Sequence, residues 1–115
     1  MALDYAATLK KYINVLAHEG GSDLHFSTGA HPTIRVAGSL TPMLKELVLT
    51  PEDTSGFLKV LITSAQQERF LSEQEIDFAF ESDESVRFRG NAFFQRGSVG
   101  IALRLIPKTI RTTQE

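Results

Sequence analysis

The sequence predicts an α+β domain in which an antiparallel β-sheet carries helices on one face. Apolar residues recur every three or four positions near the N-terminus, as in an amphipathic helix. Helix-capping signals follow in the middle of the chain, and alternation of apolar and polar residues begins at Glu75. The order is helix, two strands, two helices and three strands, which is typical of helices segregated to one side of an antiparallel sheet.

The first half of the chain contains one predicted helix and two predicted strands. The helix covers residues 3–18 and ends at Gly20 and Gly21, which favour the left-handed conformation of a helix end. A strand over 22–27 places Leu24 and Phe26 on one side and Asp23 and His25 on the other. A second strand covers 33–36 and is broken at Gly38, after which a short polar turn leads to Leu40.

Two capping signals open the helices of the middle segment. Thr50 and Pro51, followed by acids, are typical of an N-cap, a first helical position and a first turn. The helix that they begin carries an apolar face, which consists of Phe57, Leu58, Leu61 and Ile62. Ser64 and Gln67 have the spacing of a capping box and predict a short helix that ends near Leu71.

Three strands make up the rest of the chain. Residues 75–81 alternate strictly, residues 83–85 suit a turn, and alternation resumes over 86–95. Arg96 and Gly97 suit the tip of a tight hairpin, from which a strand over 99–105 returns and ends at Pro107.

The composition fits one domain and excludes several classes of protein. The chain has 115 residues and no cysteine, so disulfides and thiolate sites are excluded. Its net charge of −2 argues against a bulk nucleic-acid coat protein. No apolar run approaches the ~20 residues that span a bilayer. The N-terminus lacks the pattern of a signal peptide, so we expect a soluble intracellular domain.

Charge is distributed unevenly, and the hairpin register places two arginines together. Seven acids lie between positions 68 and 84, whereas six bases and no acid lie between 85 and 114. A turn at Arg96 and Gly97 places Arg89 directly opposite Arg104, on the face of the sheet away from the apolar residues. Because opposed like charges are destabilising, an anion between them is expected, either a carboxylate of the protein or a ligand phosphate. Arg87 equally fits ordinary pairing with the acidic strand.

The remaining motifs carry less chemistry. Ser22, Asp23 and His25 are too close in sequence to form a catalytic triad. The three histidines of the chain lack the spacing of metal ligands, so no metal site is expected. A surface or capping role is expected for each histidine. No phosphate-binding loop of the Walker type occurs, and the chain alone is not expected to be an enzyme. Phe93 near Arg87 and Arg89 leaves open a single-stranded nucleic-acid platform.

Three blocks of sequence, taken together, resemble a known family. They are SDLHFSTG at 22–29 with PTIRVAG at 32–38, EIDFAF at 75–80, and RFRGNAF at 87–93 with QRGSVG at 95–100 and LRLIP at 103–107. In this order they are similar to the N-terminal part of the PilT-like ATPases that drive type IV pilus retraction and twitching motility. The STG at 27–29 and the roughly twenty residues before the first block favour the retraction type over the pilus-extension relatives. Gly90 stands where the family more often has a β-branched residue, which predicts a looser strand.

The resemblance implies a PAS-like domain over residues 1–110 and, over 111–115, the start of a linker to a RecA-like ATPase domain that this chain does not contain. It implies ATP with Mg²⁺ as the cofactor of the full-length protein, bound between the two domains, and none for the isolated domain. Arg89 and Arg104 would be the catalytic arginines that close over the phosphates, and Arg87 and Arg96 would be cofactor-binding residues.

The resemblance also implies partners and a location. The partners would be the protein's own RecA-like domain, five further copies in a homo-hexamer, and a pilus platform protein of the inner membrane, with no nucleic acid. The protein would be cytoplasmic and peripherally associated with that membrane. A hinge near 107–115 would convert nucleotide state into rotation. The alternatives are a free-standing PAS-like sensor that binds a small anion, and the nucleic-acid module described above.

Overall fold

The computed structural model describes residues 4–82 and 86–106. The turn predicted at 83–85, the strand end at Pro107, the hinge near 107–115 and the linker at 111–115 lie outside the described residues. The described part contains three helices and six strands, in the order α1 (Tyr5–Glu19), β1 (Asp23–Phe26), β2 (Thr33–Val36), β3 (Ser39–Pro42), α2 (Pro51–Leu61), α3 (Ser64–Glu73), β4 (Glu75–Glu81), β5 (Arg87–Gln95) and β6 (Ser98–Ile106).

The strands form one sheet in the order β3-β2-β1-β6-β5-β4, and every neighbouring pair is antiparallel. The α+β class with an antiparallel sheet is confirmed. Strands β1–β3 and strands β4–β6 join where β1 pairs with β6, so residues far apart in sequence become neighbours at the centre of the sheet.

The end of α1 and the start of α2 lie where their capping residues predict, whereas α1 begins at Tyr5, after an Asp4 cap, rather than at residue 3. The Asp4 carboxylate accepts from the Ala7 amide at 3.1 Å, and α1 ends at Gly20, whose φ is +69°. Thr50 and Asp53 form a reciprocal capping box at the start of α2, in which the Thr50 amide donates to the Asp53 carboxylate at 2.9 Å. Local signals therefore define both helices.

Two predicted boundaries need correction. The capping box of α3 uses Thr63 and Gln66 rather than Ser64 and Gln67, and the helix continues to Glu73. The polar stretch after Gly38 is a strand, β3, so three strands rather than two precede α2. All four residues of β3 are exposed, which removes the alternating apolar pattern by which a strand is recognised.

The helices pack on one face of the sheet and enclose a single apolar core. Phe26 of β1 stacks on Phe57 of α2 with 4.6 Å between ring centroids, and Tyr12 of α1 lies 5.9 Å from each. In the hairpin, Phe88, Ala92, Ile101 and Leu103 are buried toward the helices, whereas Arg87, Arg89 and Arg104 are exposed. Within residues 4–82 and 86–106, no helix covers the face that carries these arginines.

Aromatic rings from neighbouring strands cover two glycines of β5 and β6. Gly90 is paired with Phe78 of β4, and a methyl group at Gly90 would collide with the Phe78 ring. Gly100 is paired with Phe93 in the same way on the opposite face. The missing side chain of Gly90 predicted a looser strand. The Phe78 ring fills the space that this side chain would occupy.

We expect Gly90→Val to destabilise the domain by about 1–3 kcal/mol, because the added side chain would force Phe78 out of a packed position. The measurement is the midpoint of urea unfolding. Ala79→Val, at an exposed position of β4, is the matched control and should change stability by less than about 0.5 kcal/mol. Equal or greater stability of Gly90→Val would show that the ring does not need this space.

Candidate functional site

One row of residues crosses the exposed face of the sheet. Strand register aligns Arg35 of β2 with Asp23 of β1, Asp23 with Arg104 of β6, and Arg104 with Arg89 of β5. The opposition of Arg89 and Arg104 predicted from the hairpin turn is confirmed. The row thus places three arginines and one aspartate along a line across four strands.

The Asp23 carboxylate binds Arg104 within this row. Arg104 Nε donates to Asp23 Oδ2 at 3.2 Å, and the Ser22 hydroxyl donates to Asp23 Oδ1 at 2.6 Å. The Arg104 side chain is 74% exposed, whereas that of Asp23 is 8% exposed. Burial by itself would raise the pKa of the Asp23 carboxyl, but the Ser22 and Arg104 hydrogen bonds and the Arg104 charge outweigh it and lower that pKa. The internal carboxylate left open by the sequence is therefore present for Arg104.

Arg89 has a different environment. It is exposed and lies opposite Ala79 on β4, and its side chain makes no hydrogen bond or ion pair with any residue of 4–82 or 86–106. Two acids of β4, Asp77 and Glu75, accept from the Asn91 amide at 2.8 Å and 3.2 Å, and the third, Glu81, lies opposite Arg87. The acidic strand thus leaves the Arg89 guanidinium available to an anion.

A shallow groove of about 610 Å³ lies beside the arginine pair. Ala102 and Gly90 lie in the middle of the groove. Asp23 and His25 line one side of it, and Asn91 and Asp77 line the other. Arg89 and Arg104 both line it. The groove is therefore open to a ligand or a partner surface that presents negative charge to the two guanidinium groups.

The two secondary arginines lie in different places. Arg87 is on the same face as Arg89 and opposite Glu81, as ordinary cross-strand pairing predicts. Arg96 is in the hairpin turn with φ +55°. It lies seven positions from Arg89 along the chain, which is roughly 23 Å in an extended strand. The structure therefore places Arg87 beside the pair and Arg96 at the far end of the hairpin.

The three histidines lie in different environments. His18 is exposed in the last turn of α1, and the His31 ring bonds the Glu46 carbonyl at 2.9 Å. His25 is half-buried at the edge of the groove, and its Nε2 is buried without a hydrogen-bond partner among the described residues. Burial lowers the pKa of the His25 imidazole more than the nearby Asp23 carboxylate raises it.

The predicted aromatic platform is only partly formed. Phe94 faces the helices and stacks on Phe70 at 4.6 Å, whereas Phe93 is on the arginine face, where its ring covers Gly100. Phe93 therefore packs on the protein's own backbone, which does not favour base stacking. Two polar residues of this face, Arg35 and Asn91, were missed by the sequence reasoning. The alternation of their strands places them on this face, but only the strand order shows what they neighbour.

In the ranges 4–82 and 86–106, no three histidine, aspartate or glutamate side chains are grouped so that they could hold a metal ion. Among the described helices, none is both long and apolar enough to cross a bilayer.

Comparison with known proteins decides the family. No family model matches the chain. The type IV pilus ATPase PilU of Pseudomonas aeruginosa is 34% identical over 106 residues, which are 92% of this chain and 28% of PilU. The type IV pilus retraction ATPase PilT of the same organism is 34% identical over 86% of this chain and 28% of PilT. A crystal structure of PilT with bound ADP superposes with a TM-score of 0.81 and 34% identity, over 88% of this chain and 29% of that one.

The chain is an N-terminal domain of the PilT-like secretion ATPases. This PilT-like domain spans about 28% of the length of the curated relatives that it matches. The ATPase DotB of Legionella pneumophila, 21% identical with a TM-score of 0.74, shares the fold of the PilT-like domain.

Proposed function

We propose that this PilT-like domain acts in a type IV pilus retraction motor, where Arg89 and Arg104 bind the phosphates of ATP held by a C-terminal RecA-like ATPase domain. The observation that carries the proposal is the register of the hairpin. It places two arginines opposite each other on a sheet face that the described helices leave open. The 34% sequence identity with PilT, and the fold shared with the ADP-bound structure of PilT, support a nucleotide as the anion.

The chemistry suits a polyphosphate. Each guanidinium can donate two parallel hydrogen bonds and stays charged at every relevant pH. An anion between Arg89 and Arg104 also relieves the repulsion of the opposed charges. In ATP hydrolysis such groups would stabilise charge on the γ-phosphoryl and respond to its loss, while Mg²⁺ is bound by the nucleotide and the ATPase domain.

The assembly is part of the same proposal. The PAS-like domain packs in a homo-hexamer, the hinge near 107–115 converts nucleotide state into rotation, and the ring works at a platform protein on the cytoplasmic side of the inner membrane. PilU and PilT, both named as type IV pilus ATPases, support this setting. The Phe93 ring packs on Gly100, which does not favour the nucleic-acid alternative.

Binding of inorganic tripolyphosphate to this chain tests the arginine pair. We expect weak, saturable binding, with amide shifts in an NMR titration confined to β5, β6 and β1. Arg89→Ala and Arg104→Ala should each weaken it by about fivefold or more, since each removes a charge-assisted contact. Arg69→Ala, an exposed arginine on α3, is the matched control and should bind like the unchanged chain. Loss of affinity in Arg69→Ala equal to that in Arg89→Ala would overturn the site, because it would indicate a response to net charge alone.

A further inference from the structure

We propose that Asp23 is a positioning residue that holds Arg104 by its Nε and leaves the terminal amino groups of the guanidinium free for a phosphate. This inference rests on the proposed function, because the phosphate is the anion that the pair of arginines would share. It assigns a role to the buried acid of the row, which the resemblance to the PilT-like ATPases left without one.

The geometry of the Asp23–Arg104 contact separates the two ends of the guanidinium. Arginine has five N–H donors, of which one is on Nε and four are on the terminal nitrogens. Asp23 Oδ2 accepts from Nε at 3.2 Å, and within the described residues the terminal nitrogens of Arg104 make no hydrogen bond. The side chain remains 74% exposed. The contact therefore anchors the side chain without using the donors that bind a phosphate bidentately.

Asp23 itself is held rigidly enough to serve as the anchor. It lies on β1, which is paired on both sides, and Ser22 donates to its other carboxylate oxygen at 2.6 Å. Arg35, its neighbour on β2, does not compete for the carboxylate, because its Nη1 donates to the Gly38 carbonyl at 3.1 Å. Asp23 thus binds one of its two arginine neighbours, and that one lies opposite Arg89.

A positioning role and a purely electrostatic role of Asp23 predict opposite changes in phosphate affinity when the carboxylate is removed. A carboxylate next to an anion site repels the anion, so on charge alone its removal should tighten phosphate binding. A positioned arginine has already lost its side-chain entropy before the ligand arrives, so removal of the anchor should weaken binding. The sign of the effect therefore distinguishes the two.

The test measures the affinity of this chain for inorganic tripolyphosphate. We expect Asp23→Ala to bind about fivefold more weakly, and Asp23→Asn, whose amide oxygen still accepts from Nε, to bind at least as well as the unchanged chain. In an Arg104→Ala background, Asp23→Ala should no longer weaken binding. Tighter binding by Asp23→Ala in the unchanged background would overturn the inference.

Arg104→Lys provides a second variant at an exposed position. A lysine has one ammonium group, which cannot bind Asp23 and present a two-pronged edge at the same time. We expect its affinity to fall as far as that of Arg104→Ala. Affinity equal to that of the unchanged chain would overturn the inference, because charge alone would then suffice.

A ligand-free readout separates this inference from the proposed function. Relaxation of the Arg104 Nε–Hε bond by NMR should report a rigid group in the unchanged chain and in Asp23→Asn, and a mobile one in Asp23→Ala. Arg89 should be mobile in all three. Unchanged Arg104 mobility in Asp23→Ala would overturn the positioning role. An affinity for tripolyphosphate that neither Arg89→Ala nor Arg104→Ala changes would instead overturn the proposed function.

Discussion

We expect Arg89→Ala and Arg104→Ala each to lower ATP turnover by about a thousandfold in a protein that joins this PilT-like domain to its ATPase domain. The two guanidinium groups face each other on the open side of the sheet. A charge supplied to the transferring phosphoryl group stabilises the transition state more than the bound nucleotide. The loss should therefore be larger in kcat than in KM, as measured by steady-state phosphate release.

The fold should survive Arg89→Ala without loss of stability, which separates catalysis from stability, whereas Arg104→Ala also removes the ion-pair partner of Asp23. Arg89 has no side-chain partner in the described part of the chain, and removal of one of two opposed charges relieves repulsion of about 0.2–1 kcal/mol. Thermal unfolding of Arg89→Ala should thus occur at or slightly above the original temperature. Arg69→Ala on α3 serves again as the control and should keep full turnover. Near-normal turnover in both Arg89→Ala and Arg104→Ala would contradict the proposed function.

Phe26→Ala is expected to destabilise the domain by about 3–5 kcal/mol. Phe26 is fully buried, stacks on Phe57 at 4.6 Å and lies 5.9 Å from Tyr12, so its removal leaves a cavity where β1, α1 and α2 meet. A domain of this size has about 5–15 kcal/mol of stability in total. The variant should therefore unfold at a far lower urea concentration and be partly unfolded at 37 °C.

Phe26→Leu is the matched control for this cavity, because it retains most of the apolar volume and should lose much less stability. Both variants are measured by urea unfolding followed by far-ultraviolet circular dichroism. A loss below about 1 kcal/mol for Phe26→Ala would contradict the central place assigned to this ring, since so small a loss is typical of surface positions.

Elements that depend on nearby residues could be predicted from the sequence. Gly20 ends α1, and Thr50 with Pro51 opens α2, because a cap acts on the backbone groups within one turn of it. The correction at α3 has the same local cause, since Thr63 and Ser64 are adjacent and either could cap. The β3 strand was missed because an exposed edge strand has no buried face to impose alternation.

The candidate site was predicted in part for the same reason. A turn at Arg96 and Gly97 determines which residues of β5 and β6 face each other, so the Arg89–Arg104 pair follows from the sequence alone. Partners contributed by other strands could not be found in this way. Arg35 of β2 has no sequence signal that ties it to the pair, and the acids of β4 become neighbours of Asn91 on β5 only through the strand order.

The sequence by itself thus determined the end of α1, the start of α2, the inward and outward faces of the hairpin and the opposition of its two arginines, since each depends on residues within one turn or one hairpin. Only the tertiary structure decided that β1 lies beside β6, which brings Asp23 to Arg104 across 81 positions of sequence. Strand order is set by how the whole apolar surface is buried, and no local pattern carries that information. For that reason, the acid that holds Arg104 became visible only in the folded domain.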